Sequence, residues 1–290
     1  KILKLTDSET KKKSIKEYKK EPIVVANNFI WGINGHPLTN VDYTVGSIES
    51  QLALLKEHQL EYYRIDITTD EDGIINTYPD KFDELIEKAN QLQIRILPII
   101  KIDNHLDKFN ISAEEAYDLG KRQMAGFIKN YGKHFEYYEL GNEQENKIIN
   151  ANSNGMYMTD YDAVKFKVLL SYLKGMTESL QRIQPEANTM ISAGWLHWGY
   201  FDLLQSAGLH FDIISYHWYS NMGSMFKSRY ENVNIIDTLN AKYNKPIWIT
   251  EINKKDGSIH HTEEAQALWV DYFMHELDHQ SNVKAFFIYE

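Results

Sequence analysis

Short apolar runs alternate with longer amphipathic stretches along most of this chain. The runs are Phe29–Gly35, Tyr62–Thr68, Ile94–Ile100, Tyr137–Glu143, Thr189–Trp195, Ile213–Tyr219, Ile247–Asn253 and Val283–Glu290. Each has the length and the β-branched or aromatic content of a buried strand. Between them the periodicity predicts helices near 47–58, 81–92, 113–131, 160–184, 231–243 and 262–279, with a short one near 198–207. Strand and helix in strict alternation call for a parallel sheet. Eight such strands point to a closed (β/α)8 TIM barrel rather than an open doubly wound sheet. The eighth run is the last segment of the sequence, so the expected barrel has its eighth helix missing or replaced. Residues 1–22 are rich in Lys and Glu and read as a polar arm, a candidate to cover that gap. Residues 23–290 then read as one catalytic barrel, with no internal repeat and no linker.

Composition narrows the function. Net charge is −10, which argues against nucleic acid, since that partner needs a basic surface. There is no Cys, so thiol chemistry and disulfides are excluded. No run of about 20 apolar residues spans a membrane. Six Trp, nineteen Tyr and twelve Phe exceed what a plain core needs, and their half-apolar, half-polar rings suit sugar faces. The first residue is Lys1 rather than Met, so the true start is expected upstream, where a signal peptide would lie. A secreted, periplasmic or cell-surface location is the matching expectation.

In a barrel of this kind, chemistry sits at the C-terminal ends of the strands. Polar residues collect there. The first run leads into Asn34, Gly35 and His36, the second carries Arg64 and Asp66, and the fourth ends Asn142-Glu143. The fifth finishes at Trp195, the sixth at His217-Trp218-Tyr219 and the seventh reaches Glu251. Alternation puts Arg64 and Asp66 on one side of their strand, where they are expected to meet each other or a ligand. Glu143 and Glu251 end strands on roughly opposite sides of a small barrel, so they can face each other across its mouth. Glycoside hydrolysis needs such a pair. One carboxyl protonates the leaving oxygen and the other attacks the anomeric carbon or activates a water.

Leu140-Gly141-Asn142-Glu143 together with Trp248-Ile249-Thr250-Glu251 resembles the clan A, or 4/7, glycoside hydrolases. Ser215-Tyr216-His217-Trp218-Tyr219 resembles that clan's strand-six His/Tyr motif, and Arg64 stands where many members place an Arg on strand two. The likeness covers residues 29–290 and is nearest to families 39 and 79. Gln144 stands where the clan often has Pro, and Tyr289-Glu290 where many members carry a Trp. The resemblance implies a retaining mechanism with Glu143 as acid/base and Glu251 as nucleophile. It implies that Asn142 bonds the sugar 2-hydroxyl, that Arg64 keeps Glu251 ionised and that Tyr219 orients it. Glu143 is expected to have a raised pKa, helped by the charge on Glu251. His217, His36, Trp195 and Trp31 are candidate sugar contacts. No cofactor and no metal are expected, the partner is a carbohydrate substrate, and the oligomeric state is open.

Two rivals remain at this level. One is a glycan-binding barrel with an inactive site. The other is a different barrel hydrolase using metal, which would need a His/Asp cluster at strand ends, and strand one lacks a His-x-His pattern. Separately, His275-Glu276-Leu277-Asp278-His279 matches H-E-x-x-H, the zinc-protease helix signature. Against zinc stand the missing third ligand, the position of the motif before strand eight, at the far end from the mouth, and a helix whose Ala265, Leu268, Trp269, Tyr272 and Phe273 form a packing face. The loops 144–160 and 220–231 are long and rich in Asn, Tyr, Met and Ser, which suits glycan binding without naming the sugar.

Overall fold

A computed structural model describes residues 29–40, 43, 46–101, 109–228, 232–277 and 280–289. Within these, strands β1 (Ile30–Gly35), β2 (Tyr62–Ile67), β3 (Arg95–Ile100), β4 (Tyr137–Leu140), β5 (Asn188–Gly194), β6 (Ile213–Tyr219), β7 (Ile247–Asn253) and β8 (Val283–Ile288) close into one barrel in sequence order. Every neighbouring pair is parallel, and β1 closes on β8. The connecting helices are α1 (Ile48–Glu57), α2 (Pro79–Leu92), α3 (Ala113–Tyr131), α4 (Glu145–Ile148), α5 (Ala163–Ile183), α6 (Trp198–Ser206), α7 (Ile235–Tyr243), α8 (Gly257–His260) and α9 (Glu263–Leu277). This is the (β/α)8 barrel that the alternation predicts. The one-turn helices α4 and α8 carry too few residues for periodicity to reveal. The polar arm 1–22, the start of the 231–243 stretch, and Asp278 and His279 lie outside the described residues.

Local chemistry explains where the helices begin. Ser47 caps α1 by accepting from the Ser50 amide, and Ser112 and Glu115 form a reciprocal capping box at α3. The Asp162 carboxylate accepts from the Val164 and Lys165 amides at the start of α5. Pro79 stands at the first position of α2, where its missing N–H costs nothing.

The core has two parts. Outward-facing strand residues pack under the helices. Inside the barrel, Tyr62, Leu97, Met190, Ile213, Trp248, Ala285 and Phe287 form a separate apolar floor. Trp248 and Phe287 stack there with ring centres 6.0 Å apart. Gly32 makes room for this floor, because a Cβ at that position would come within 2.4 Å of the Phe287 ring. Above the floor the lumen turns polar, and that change in level sets the height of the site.

Trp31 faces the other way. It alternates with the inward Asn34 and packs on Phe29 and Phe286, with ring centres 5.1 and 5.9 Å away. The expectation that Trp31 lines the mouth is therefore corrected: an odd step along β1 puts it under the helices. On α9 the most buried residues are Phe273, Met274 and Leu277, while Trp269 packs at the edge of the core. His275 lies 3.8 Å from Asp271 one turn earlier. The end of α9 leads into the N-terminal end of β8, opposite the barrel mouth.

Candidate active site

The strand ends converge on Arg64, which is 1% exposed in the lumen above the apolar floor. All five of its guanidinium donors find acceptors. Nε and Nη2 grip Glu139 at 2.7 and 2.8 Å. Nη1 donates to Glu251 Oε1 at 2.8 Å and to Asn34 Oδ1 at 2.6 Å. Nη2 also donates to Asn142 Oδ1 at 2.7 Å. Burial alone would lower the Arg64 pKa, but Glu139 and Glu251 outweigh it and raise it further. Of the two alternatives for Arg64 and Asp66, meeting each other or a ligand, the first is not what forms. Asp66 instead meets His36 Nδ1 at 2.8 Å and Lys101 Nζ at 3.0 Å. Burial pushes the Asp66 carboxyl up, yet the His36 hydrogen bond and the Lys101 charge pull it down to about 2.

Glu251 reaches the lumen because β7 is irregular. Pairing with β6 runs Tyr216 to Ile249 and then His217 to Glu251, so one residue of β7 is extra. Thr250 bonds Ser215 inside the barrel, and Glu251, its neighbour, also points inward. Strict alternation would send one of the two outward; a bulge lets both face the site. Tyr219 donates to Glu251 Oε2 at 2.6 Å. Burial and the Glu251 charge hold the Tyr219 phenol far above its ordinary pKa, so it stays a donor.

Glu143 arrives by a different device. β4 stops at Leu140, three residues before the expected end, because Gly141 takes φ +80°. Glu143 itself sits at φ +46°, with its amide donating to Ser192 Oγ at 3.0 Å. This turn aims the carboxyl back over the barrel. Asn146 donates to its Oε2 at 3.0 Å, and His217 Nδ1 lies 2.9 Å from Oε1. The same Nδ1 is 3.5 Å from Glu251 Oε2. His217 thus bridges the two carboxylates. Its burial would lower its pKa, but Glu251 and the Glu143 hydrogen bond raise it above the ordinary histidine value.

Glu143 departs from expectation in one respect. Burial does push its pKa up, but the His217 hydrogen bond and the charges of His217, Arg64 and His197 leave it lowered, not raised. The reason is that a proton donor, rather than bare carboxylate charge, faces it at the shortest distance. Among the described residues, Glu143, His217 and Glu251 also present one ligand atom each within 4.8 Å of one another, which could hold a metal ion.

A cavity of about 930 Å³ opens on this cluster, lined by His36, Arg64, Asp66, Asn142, Glu143, Tyr219 and Glu251 among others. The structure therefore places on this cavity every expected site residue except Trp31, Trp195 and His217. His217 lies directly beneath, fully buried. Trp195 lines a second, smaller cavity that meets the first at Glu143. The sequence reading missed Glu139, whose inward alternation on β4 was a usable signal. It also missed Glu145, which is fully buried, accepts from the Gly194 amide at 3.2 Å and lies 3.2 Å from His197 Nδ1. Burial raises the Glu145 pKa despite that histidine.

Residues 157–290 match the family described as "Glycosyl hydrolase catalytic core". That span holds His217, Tyr219 and Glu251, while Arg64 and Glu143 precede it. No curated protein matches the sequence. Among solved structures the chain is similar to the GH53 catalytic domain of Ignisphaera aggregans, at 16% identity and TM-score 0.66, covering 93% of this chain and 87% of that one. It is also similar to a β-glucosidase from Thermotoga maritima, at 12% identity and TM-score 0.63, covering 92% and 89%. At these identities the likeness shows the shared barrel. A closed (β/α)8 barrel carrying the catalytic-core match makes the chain a glycoside hydrolase. At that coarse level the resemblance of the sequence to glycoside hydrolases holds.

Proposed function

We propose that the chain is a retaining glycoside hydrolase acting on an oligo- or polysaccharide by double displacement. The observation that carries this reading is the closeness of the two glutamates: an oxygen of Glu143 and an oxygen of Glu251 lie within 4.8 Å. Retaining enzymes hold their two carboxyl groups about 5–5.5 Å apart, a separation that this oxygen-to-oxygen approach accommodates. The family 39 and 79 flavour of the sequence belongs to this proposal as well.

In the first step, a Glu251 oxygen attacks C1, the bond from C1 to the leaving oxygen breaks, and that oxygen takes a proton from Glu143. In the second, water adds its hydroxyl to C1, its proton returns to Glu143, and the ester bond to Glu251 breaks to restore the carboxylate. Arg64 and Tyr219 occupy one oxygen each of Glu251 and fix its direction of attack. His217 stands 2.9 Å from Glu143, so the proton required by the first step is shared within that pair. Asn142, held through its carbonyl by Arg64, presents its amide toward the sugar 2-hydroxyl.

The test is turnover of a panel of aryl glycosides and polysaccharides. Wild type should release sugar and Glu251→Gln should not; equal release by both would mean that Glu251 is not the nucleophile, and no release by either would favour a glycan-binding barrel. Glu143→Ala should fail on poor leaving groups and regain activity on activated ones when azide is added. Absence of rescue together with an inverted product anomer by NMR would end the retaining assignment.

A further inference from the structure

The second cavity, about 330 Å³, shares Glu143, Asn221 and Met222 with the main one and adds Glu145, Trp195 and His197. Glu251 lines only the main cavity. On the reading above, this division has a direct chemical meaning. The nucleophile touches the sugar whose C1 is attacked, so that sugar occupies the main cavity. The acid must touch the oxygen between the two halves of the substrate. Glu143 lies on the boundary between the cavities, so the leaving half continues past it into the smaller one.

We propose that this smaller cavity is the leaving-group subsite, that it takes a single uncharged sugar ring, and that Trp195 is the platform on which that ring stacks. Its volume lies at the low end of small-ligand pockets, which run to roughly 300–1,000 Å³, whereas the main cavity lies near the upper end. Two carboxylates and no lysine or arginine line it among the described residues, which disfavours an anionic ring. Trp195 is built into position. Its carbonyl accepts from Tyr216 Oη at 2.6 Å. The His197 ring meets its indole edge-on, at 79° and 5.7 Å between centres. Its backbone sits at φ +49°, a region where a bulky side chain is rare and which clusters at functional sites. His197 is in turn tied to the buried Glu145, so the platform, the acid's turn and the end of β5 are linked.

This rests on the retaining-glycosidase reading, and the experiment separates the two. The substrates are the β-glucosyl, β-galactosyl, β-xylosyl and β-mannosyl fluorides and the matching (1→4)-linked disaccharides. A fluoride has no leaving ring, so it reports the main cavity alone. In Trp195→Ala the ratio of kcat/KM for disaccharide over fluoride should fall by about two- to tenfold, the loss of one aromatic stacking contact, and Trp195→Phe should restore most of it. A wild-type measurement needs no variant: free glucose or xylose added during fluoride turnover should give saturable transfer product by NMR. An unchanged ratio, a parallel fall of both substrates, or the lack of any transfer product overturns the platform. Turnover of none of these substrates by wild type overturns the underlying reading and the proposal with it.

Discussion

Arg64 Nη1 donates to Glu251 Oε1 at 2.8 Å, joining a strand-two cation to a strand-seven carboxylate 187 residues away. The same guanidinium holds Glu139 with two further bonds, so one side chain neutralises two buried carboxylates. Replacing Arg64 by Met leaves both without a counter-charge. Stability by urea denaturation should then fall by about 3–5 kcal/mol. Arg64→Lys should also lose stability and activity, because an ammonium has three donors and four acceptor groups wait for it. A lysine variant with wild-type kcat/KM would show that the fork geometry is unimportant.

The position of His217 predicts a shift in the pH profile. Glu143 must be protonated for the first step, so its titration limits activity on the alkaline side. Burial raises its pKa and the His217 hydrogen bond lowers it. His217→Gln removes the largest part of the lowering and keeps the burial. The alkaline limb of kcat/KM should therefore move to higher pH. A limb that stays put, or moves down, would show that His217 does not share that proton.

Asp66 sets a dependence of stability on acid. Its pKa is about 2 in the folded chain, against 3.8 as the ordinary value. A carboxyl lowered by folding stabilises above its unfolded pKa and loses that contribution as pH falls through the folded one. The difference amounts to about 2 kcal/mol, lost between roughly pH 4 and pH 2. Asp66→Asn should be less stable than wild type at neutral pH and should approach it near pH 2. Curves that stay parallel over that range would contradict the pairing with His36 and Lys101.

Trp31 and Trp195 should behave differently. Trp31→Ala opens space beside Phe29 and Phe286 under the helices. It should lower stability by about 1–3 kcal/mol, because the ring is only half-buried, with KM for the substrates above within about twofold. A large rise in KM would return Trp31 to the mouth.

Much of this molecule was legible in the chain. The eight apolar runs became the eight strands to within a few residues, because buried strands need continuous apolar or alternating sequence and helices need a 3.6-residue period, and both are local properties. Strand-end polar residues pointed to the mouth for the same reason: a barrel places all strand ends on one side. Glu139 was legible too, since Tyr137 and Glu139 share the inward face of β4, and it was missed beside the more conspicuous Glu143.

Other features were decided only when the chain closed on itself. A two-residue period cannot announce where it is broken, so the bulge that turns both Thr250 and Glu251 inward, and the left-handed turn that aims Glu143, came from the fold. The direction of the Glu143 pKa depends on a histidine 74 residues away rather than on the carboxyl's neighbours in sequence. The partition of the cleft at Glu143 likewise needs the loop after β6, through Asn221 and Met222, to meet the ends of β4 and β5. Local pattern determines elements because it depends on each residue's own neighbours. Site electrostatics and cavity shape depend on distances between strands, and those exist only in the assembled barrel.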